Sequence, residues 1–237
     1  MKIKDIYKYI IDYILPPRCL SCQIFTTGND ESCCDCWSKI SFISKPYCTL
    51  CGCRLAISVL DGLTCGKCFV KKPSYEMARS LMKFNQYSKK IIHAFKYHDK
   101  TGLGKIFATL LCQRYRLEIC DVDLIVFVPM NKLKRLLRMY NQAQILAEWI
   151  SIILKKPIEH NLLIKSKWTK SQASLSKKAR EKNLSNSLEI NTKYIIKGKR
   201  ILLVDDVMTT GTTINKCTKL LKQAGATSVY VITIAMN

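Results

Sequence analysis

The sequence predicts an α/β protein in which a parallel sheet flanked by helices follows a small cysteine-rich segment. From residue 73 onward, short apolar runs alternate with amphipathic helical patterns, which is typical of a parallel sheet covered on both faces. Ten of the 13 cysteines lie between Cys19 and Cys68. We therefore expect a leading helix over residues 1–17, a cysteine-rich zinc-binding domain over 18–72 and the sheet domain over 73–237.

The first 17 residues carry apolar side chains at helical spacing, and Pro16 and Pro17 end the predicted helix. No apolar run in the chain reaches the roughly 18 residues needed to cross a bilayer. The leading segment also lacks the small-residue cleavage site of a signal peptide. We therefore expect a cytoplasmic protein with no transmembrane segment.

Four C-x-x-C pairs predict two structural zinc sites. A tight turn between two cysteines lets both thiolates reach one ion, and two such pairs complete a tetrahedral site. The candidate ligands are Cys19, Cys22, Cys33, Cys36, Cys48, Cys51, Cys65 and Cys68. The spacing leaves open whether the pairs combine sequentially or interleave, and whether Cys33 or Cys34 is the ligand. A disulfide framework is disfavoured, because such frameworks belong to secreted chains with a signal sequence.

The chain is strongly basic, with 39 Lys and Arg residues against 17 Asp and Glu residues and a net charge of +22. Such an excess predicts a polyanionic partner, which is a nucleic acid, an acidic membrane surface or a pyrophosphate compound. The basic residues are spread along the chain, so the charge alone does not choose among these three.

The most informative stretch is residues 201–213, which predicts a strand, a phosphate-binding loop and the start of a helix. Four apolar residues lead into Asp205 and Asp206, and adjacent carboxylates at a strand end are stable mainly beside a metal or ligand hydroxyls. Hydroxyl side chains and a glycine at a helix start suit a phosphate, and the candidates are Thr209, Thr210, Gly211, Thr212 and Thr213. Together these residues indicate a ribose 5-phosphate site, with a simple capped helix as the alternative.

The remaining elements complete an alternating pattern. Further strands are predicted over 79–84, 123–128, 157–165 and 228–235, and helices over 87–98, 103–116, 145–154 and 214–223. The segment after strand 123–128 is basic and includes Arg138. Basic residues at the carboxyl end of a parallel strand lie in the usual ligand crevice of an open sheet, where they neutralise a diphosphate.

The string VDDVMTTGTT at residues 204–213 resembles the phosphoribosyl diphosphate (PRPP) motif of the type I phosphoribosyltransferases. Within that group, nearly the whole chain is similar to the ComF family of competence-associated proteins. The further motifs are the cysteine pairs, I-H-x-x-K-[FY] at 92–97, R-G-F-N-Q at 138–142 and Q-x-x-L-x(4)-R-x-x-N at 172–183. The chain departs from the third motif at Met139, which replaces the glycine.

The resemblance implies a role for each candidate residue. Asp205 and Asp206 would hold the ribose hydroxyls, and the threonine loop would grip the 5-phosphate. Lys96, Arg138 and Gln142 would face the diphosphate, with Mg²⁺ as a cofactor. The resemblance also implies a double zinc ribbon with two structural Zn²⁺ ions, and a part in natural transformation or in the use of DNA as a nutrient.

Two functional hypotheses follow from these expectations. The first is an enzyme, a Mg²⁺-dependent phosphoribosyltransferase, hence a glycosyltransferase, that binds PRPP and acts on an acceptor the sequence does not reveal. The second is a non-catalytic module of the same fold, which binds single-stranded DNA or DNA-uptake proteins through its zinc ribbon and basic surface.

Overall fold

The computed structural model describes residues 18–19, 21–22, 24–26, 32–56, 62–97, 102–130, 140–165 and 188–237. The predicted leading helix of residues 1–17, Arg138 and the motif at 172–183 lie outside the described residues. Within the described ranges, no helix combines the length and the apolar character that crossing a membrane requires.

The helices and strands alternate as the sequence predicts. In chain order they are α1 (Cys34–Ser38), α2 (Gly66–Val70), β1 (Met77–Lys83), α3 (Gln86–Tyr97), α4 (Gly102–Ile119), β2 (Leu124–Phe127), α5 (Gln142–Leu154), β3 (Ile158–Glu159), β4 (Leu163–Lys165), β5 (Leu188–Ile190), β6 (Arg200–Met208), α6 (Thr212–Gln223) and β7 (Ser228–Met236).

A five-stranded parallel sheet forms the body of the protein, in the order β1-β7-β6-β2-β3. This confirms the predicted α/β fold. Strand β6 lies in the middle and is longer than the apolar run at 201–204, because its pairing with β7 continues through the two aspartates to Met208. The single strand predicted over 157–165 is wrong. A bend at residues 160–162 divides it, so β3 joins the parallel sheet and β4 pairs antiparallel with β5.

The side chains of β6 explain why its sequence is continuously apolar. Leu202 and Val204 belong to the hydrophobic cluster under α4 and α5, whereas Ile201 and Leu203 belong to the cluster under α6. All four side chains are fully buried. Successive residues of a strand point to opposite faces, so a strand covered on both sides requires apolar residues at every position.

The cysteine-rich region, here called the ribbon (described residues between 18 and 72), covers the β1 edge of the sheet. The Ile43 N–H donates to the Leu81 carbonyl at 3.0 Å, and the Ala78 N–H donates to the Leu50 carbonyl at 2.7 Å. Gly52 lies so close to β1 that a Cβ atom there would be 2.5 Å from the Ala78 carbonyl oxygen. These contacts occupy backbone groups that an open sheet edge would otherwise expose.

A buried charged network joins the ribbon to the sheet domain. Arg79 on β1 is 7% exposed, and its Nε lies 2.5 Å from a carboxylate oxygen of Glu118 on α4. Its Nη1 donates to the Thr49 carbonyl at 3.0 Å, and its guanidinium stacks 4.7 Å from the centre of the Tyr47 ring. The Tyr47 hydroxyl donates in turn to Glu118 at 3.1 Å. Because a buried charge needs its partners, this network holds the ribbon in one orientation on the sheet.

Candidate functional site

The two aspartates of the central strand lie partly buried at its carboxyl end, and backbone donors hold both side chains. The Asp206 N–H donates to Asp205 Oδ1 at 2.8 Å, and the Val207 N–H donates to Asp206 Oδ1 at 2.7 Å. Neighbouring parallel strands end at the same edge of the sheet, which is where open α/β sheets bind their ligands.

Lys96 supplies the positive charge next to this pair. Its Nζ lies 2.7 Å from Asp206 Oδ2, and the two side chains are 20% and 18% exposed. Lys96 is in the last turn of α3, more than 100 residues before Asp206 in the sequence. The tertiary structure therefore brings together two of the predicted site residues in a partly buried ion pair, where screening by water is weaker than at the surface.

Gln142 is fully buried behind Lys96. Its Nε2 donates to the Lys96 carbonyl at 3.4 Å, and its Oε1 has no hydrogen-bond partner among the described residues. Next to it, the Tyr140 hydroxyl donates to the Phe95 carbonyl at 2.6 Å. Both residues therefore contact the end of the helix that carries Lys96.

Burial is the largest cause that raises the pKa of Asp205 well above its usual range, and the negative charge of Asp206 raises it further. The Asp206 N–H and the Lys96 ammonium lower it without cancelling those two effects. Ionised Asp205 is thus unfavourable in the protein alone. A cation or a hydroxyl donor bound beside it would relieve that cost.

The threonine loop joins β6 to α6 and lines a cleft together with Asp205. Gly211 is the N-cap residue of α6 and has a left-handed backbone, with φ of 70°. A Cβ atom there would meet no atom closer than 3.6 Å, so the backbone angle rather than lack of space favours glycine. Gly211 provides no capping side chain, and the Thr212 N–H makes a long contact of 3.5 Å with the Thr210 hydroxyl, which a bound anion would replace.

Side-chain hydroxyls of the loop face solvent around this helix start. Thr209, Thr210, Thr212 and Thr213 are exposed, and the Thr210 and Thr212 hydroxyls lie 2.9 Å apart. Short hydroxyl donors beside the N–H groups and the positive end of a helix dipole are suited to a phosphate group.

The structure arranges eight cysteines in two groups of four. The first group is Cys19, Cys22, Cys33 and Cys36, and the second is Cys48, Cys51, Cys65 and Cys68. Within each group the sulfur atoms lie within 4.8 Å of one another. The pairs therefore combine sequentially, and Cys33 rather than Cys34 joins the first group. Four convergent thiols are the donor set of a closed structural zinc site.

Backbone N–H groups prepare one thiol of each group for a metal. The Cys19 Sγ accepts from the Cys33 N–H at 3.3 Å and from the Ser21 N–H at 3.4 Å. Burial raises the pKa of Cys19, but the N–H groups of residues 22, 33 and 21 outweigh it and lower the pKa to about 6. For Cys65, burial is likewise outweighed by the Cys68 N–H and neighbouring thiols, and its pKa falls to about 7. Both values favour the thiolate form that binds metal.

Asn215 is a residue of the loop region that the sequence analysis missed. Its Nδ2 donates to the Gly211 carbonyl at 3.1 Å, and its Oδ1 accepts from the Ser74 N–H at 2.9 Å. The contact with Gly211 spans four residues, so an amide side chain in the first turns of a predicted helix was an available signal. The contact with Ser74 spans 141 residues, and no local pattern indicates it.

Two family models match the chain. A double zinc ribbon domain matches residues 10–69, and a phosphoribosyl transferase domain matches residues 144–237. The second match contains β6, both aspartates and the threonine loop.

Curated relatives align with most of the chain. Competence protein F of Haemophilus influenzae is 29% identical over 223 residues, which cover 90% of this chain and 94% of that protein. DNA utilization protein YhgH of Escherichia coli is 25% identical over 226 residues, which cover 92% and 96%. Among solved structures, a purine phosphoribosyltransferase from Pyrococcus horikoshii is 20% identical with a TM-score of 0.35, and the match covers 56% of this chain and 71% of that one.

The fold and these matches define a protein with a double zinc ribbon and a phosphoribosyltransferase domain. The curated relatives align with both parts of the chain. The chain is therefore a homologue of the ComF-type competence and DNA-utilization proteins, at 25–29% identity over 87–92% of its length.

The cysteine grouping predicts different outcomes for two adjacent substitutions. Cys33→Ser should lose one of about two zinc ions per chain, because it removes a ligand from the first group. Cys34→Ser should retain both, because Cys34 lies outside the group. Metal analysis of purified protein measures the difference. Equal zinc content in the two variants, or a folded protein without zinc, would contradict the assignment.

The raised pKa of Asp205 predicts that Asp205→Asn stabilises the protein. An acid whose pKa is higher in the folded chain than in the unfolded chain disfavours folding increasingly as pH rises above the unfolded value. The free energy of unfolding should therefore increase on substitution, on the order of 1 kcal/mol at about pH 8 and little at about pH 4.

Denaturant unfolding at the two pH values tests this expectation, with Asp206→Asn as the matched control. Asp206→Asn should instead lower stability at about pH 8, because it removes the carboxylate that pairs with Lys96. The idea fails if both variants change stability in the same direction.

Proposed function

We propose that this chain binds PRPP together with Mg²⁺ and transfers its phosphoribosyl group to an acceptor. The observation that carries this proposal is the placement of Asp205, Asp206 and Lys96 beside a threonine loop that leads into a helix whose N-cap residue is a glycine. Acids for ribose hydroxyls and donors for a phosphate thus lie next to each other on the ligand-binding edge of a parallel sheet.

Each group has a role in displacement at the anomeric carbon. The aspartates hold the ribose hydroxyls, and the loop N–H and hydroxyl groups of residues 209–213 bind the 5-phosphate. Lys96, with Arg138 from the basic segment after β2, neutralises the departing diphosphate. Gln142 helps to position Lys96, because its side-chain amide donates to the backbone carbonyl of Lys96. The acidic pair and the ligand's own phosphates would hold Mg²⁺, which supplies further charge neutralisation.

The ion pair between Lys96 and Asp206 suits this role. The ammonium lies 2.7 Å from Asp206, next to the acidic pair at which the proposed diphosphate would add negative charge. A bound diphosphate would give Lys96 a second anionic partner without moving the strand that carries Asp206. Charges held in place before the reaction lower the cost of reorganisation in the transition state.

The names of the relatives suggest the biological setting. Relatives bear the names competence protein F and DNA utilization protein. We therefore propose that the reaction serves DNA uptake or the use of imported DNA. We also place it in the cytoplasm, where the thiols that bind zinc stay reduced.

Calorimetric titration with PRPP tests the proposed site directly. We expect binding that requires Mg²⁺ and is abolished in the Asp205→Asn/Asp206→Asn double variant, since that variant removes both carboxylates that meet the ribose. Asp121→Asn, which changes an exposed acid at the opposite end of the sheet beside Arg200, is the matched control and should bind normally. Absence of binding at millimolar PRPP, or unchanged affinity in the double variant, would refute the proposal.

A second function is favoured by the exposed tip of the ribbon. Phe69 and Val70 at the end of α2 are 84% and 86% exposed, and Lys67, Lys71 and Lys72 are exposed next to them. An exposed aromatic ring among lysines is suited to single-stranded nucleic acid, because bases stack on the ring while the lysines meet phosphates. We propose this tip as a binding surface for single-stranded DNA.

Phe69→Ala should weaken binding of a labelled single-stranded oligonucleotide by about fivefold or more, the range expected for one lost base stack. Leu117→Ala is the matched control, because Leu117 is 93% exposed but lies on α4 outside the ribbon. Affinity should also fall steeply with salt concentration. Equal losses in the two variants, or affinity that does not respond to salt, would reject the tip as the binding surface.

A further inference from the structure

Asn215 connects the threonine loop to a distant part of the chain. Its Nδ2 and its backbone N–H both donate to the Gly211 carbonyl, at 3.1 and 2.8 Å. Its Oδ1 accepts from the Ser74 N–H at 2.9 Å. One partly buried side chain therefore uses both its donor and its acceptor on backbone groups of two separate segments.

The contact with Gly211 fixes the direction of the peptide that starts α6. In a trans peptide the C=O and N–H groups point in opposite directions. When Asn215 holds the Gly211 carbonyl against the helix, the Thr212 N–H must point away from the helix body. There it makes a long contact of 3.5 Å with the hydroxyl of Thr210, and both residues line the cleft. Gly211 has a left-handed backbone and, as a glycine, can adopt more backbone conformations than the other residues of the loop. A second donor on its carbonyl therefore restricts the loop where its backbone is most flexible.

The contact with Ser74 reaches the segment by which the chain leaves the second cysteine group. Ser74 follows the ligand Cys68 by six residues. The next residue, Tyr75, is 5% exposed. Three residues further on, the Ala78 N–H donates to the Leu50 carbonyl at 2.7 Å, and Leu50 lies between Cys48 and Cys51 of that group.

The same exit segment contacts α6 and β7 once more. Glu76 accepts from the Lys222 ammonium at 2.6 Å, and its N–H donates to the Val229 carbonyl at 2.9 Å. The segment from Ser74 to β1 thus lies along the helix whose first turn forms the phosphate loop. A change in the second cysteine group has a short physical route to the loop, and Asn215 is its last link.

We propose that Asn215 is a positioning residue that holds the threonine loop in its phosphate-binding conformation and ties that conformation to the metal-loaded second cysteine group. The affinity part of this inference rests on the proposed PRPP site. The restraint on the loop does not, because it follows from contacts within the protein.

Asn215→Ala tests the restraint, with Asn191→Ala as the matched control. Asn191 also accepts a backbone N–H through its side chain, from Lys193 at 3.1 Å, but it lies in a turn outside the loop. Alanine has a higher helix propensity than asparagine, so weakening of α6 itself would not explain a loss. We expect faster amide hydrogen exchange at residues 209–213 and about five- to tenfold weaker PRPP binding in Asn215→Ala, with Asn191→Ala unchanged.

The link to the metal site is tested by removing one ligand from either cysteine group. Cys65→Ser should speed exchange in the loop, whereas Cys33→Ser in the first group should leave it unchanged. In the Asn215→Ala background, Cys65→Ser should add little further exchange, because two changes that break the same connection are not additive. Full additivity of the two changes would overturn the link.

The outcomes separate this inference from the proposed function. Loop exchange and PRPP affinity equal to wild type in Asn215→Ala would overturn the positioning role. If the wild-type protein does not bind PRPP but loop exchange still rises in Asn215→Ala, the proposed function fails and the restraint on the loop stands.

Discussion

The parallel pairing of β6 with β7 on one side and β2 on the other is the constraint on which the rest of the structure depends. This pairing places the two aspartates, which follow the apolar run of β6, at the carboxyl edge of the sheet. At this edge of a parallel sheet the strands lead into helices, not into hairpin turns. Parallel strands need crossover helices. At this edge the side chains of Asn85 and Asn141 cap the starts of α3 and α5, whereas the N-cap residue of α6 is Gly211, which has no capping side chain. The central strand therefore determines where negative charge, phosphate donors and the Lys96 ammonium can meet.

The two acids at that edge have different electrostatic surroundings. Asp206 has Lys96 as a partner at 2.7 Å, whereas the pKa of Asp205 is raised by burial and by its neighbour. One carboxylate is thus compensated within the protein and the other favours a ligand. Two acids here make the folded protein less stable than apolar residues at the strand end would. A bound cation or hydroxyl donor would lower the free-energy cost of ionising Asp205.

The ribbon acts as more than an appended metal domain. Its backbone covers the β1 edge of the sheet. Arg79, which is buried, contacts both the ribbon and Glu118 on α4. The segment that leaves the ribbon contacts Asn215 through the Ser74 N–H. Two cysteine groups whose thiols converge would hold this region folded through zinc, since so small a segment buries little apolar surface of its own. The ribbon and the threonine loop are therefore physically connected through Asn215.

The sequence by itself determined the parallel α/β class, the four C-x-x-C pairs, the acidic pair and the threonine loop. These are local patterns, in which residue type and spacing follow directly from burial, metal geometry and helix-start chemistry. It misjudged residues 157–165, where a bend divides one apolar run between two sheets.

Only the tertiary structure decided that the cysteine pairs combine sequentially, that Cys33 and not Cys34 joins the first group, that Lys96 meets Asp206, and that Asn215 reaches Ser74. Each of these depends on distances between segments far apart in the chain. Such distances are set by the packing of whole elements, which no local pattern of residues encodes.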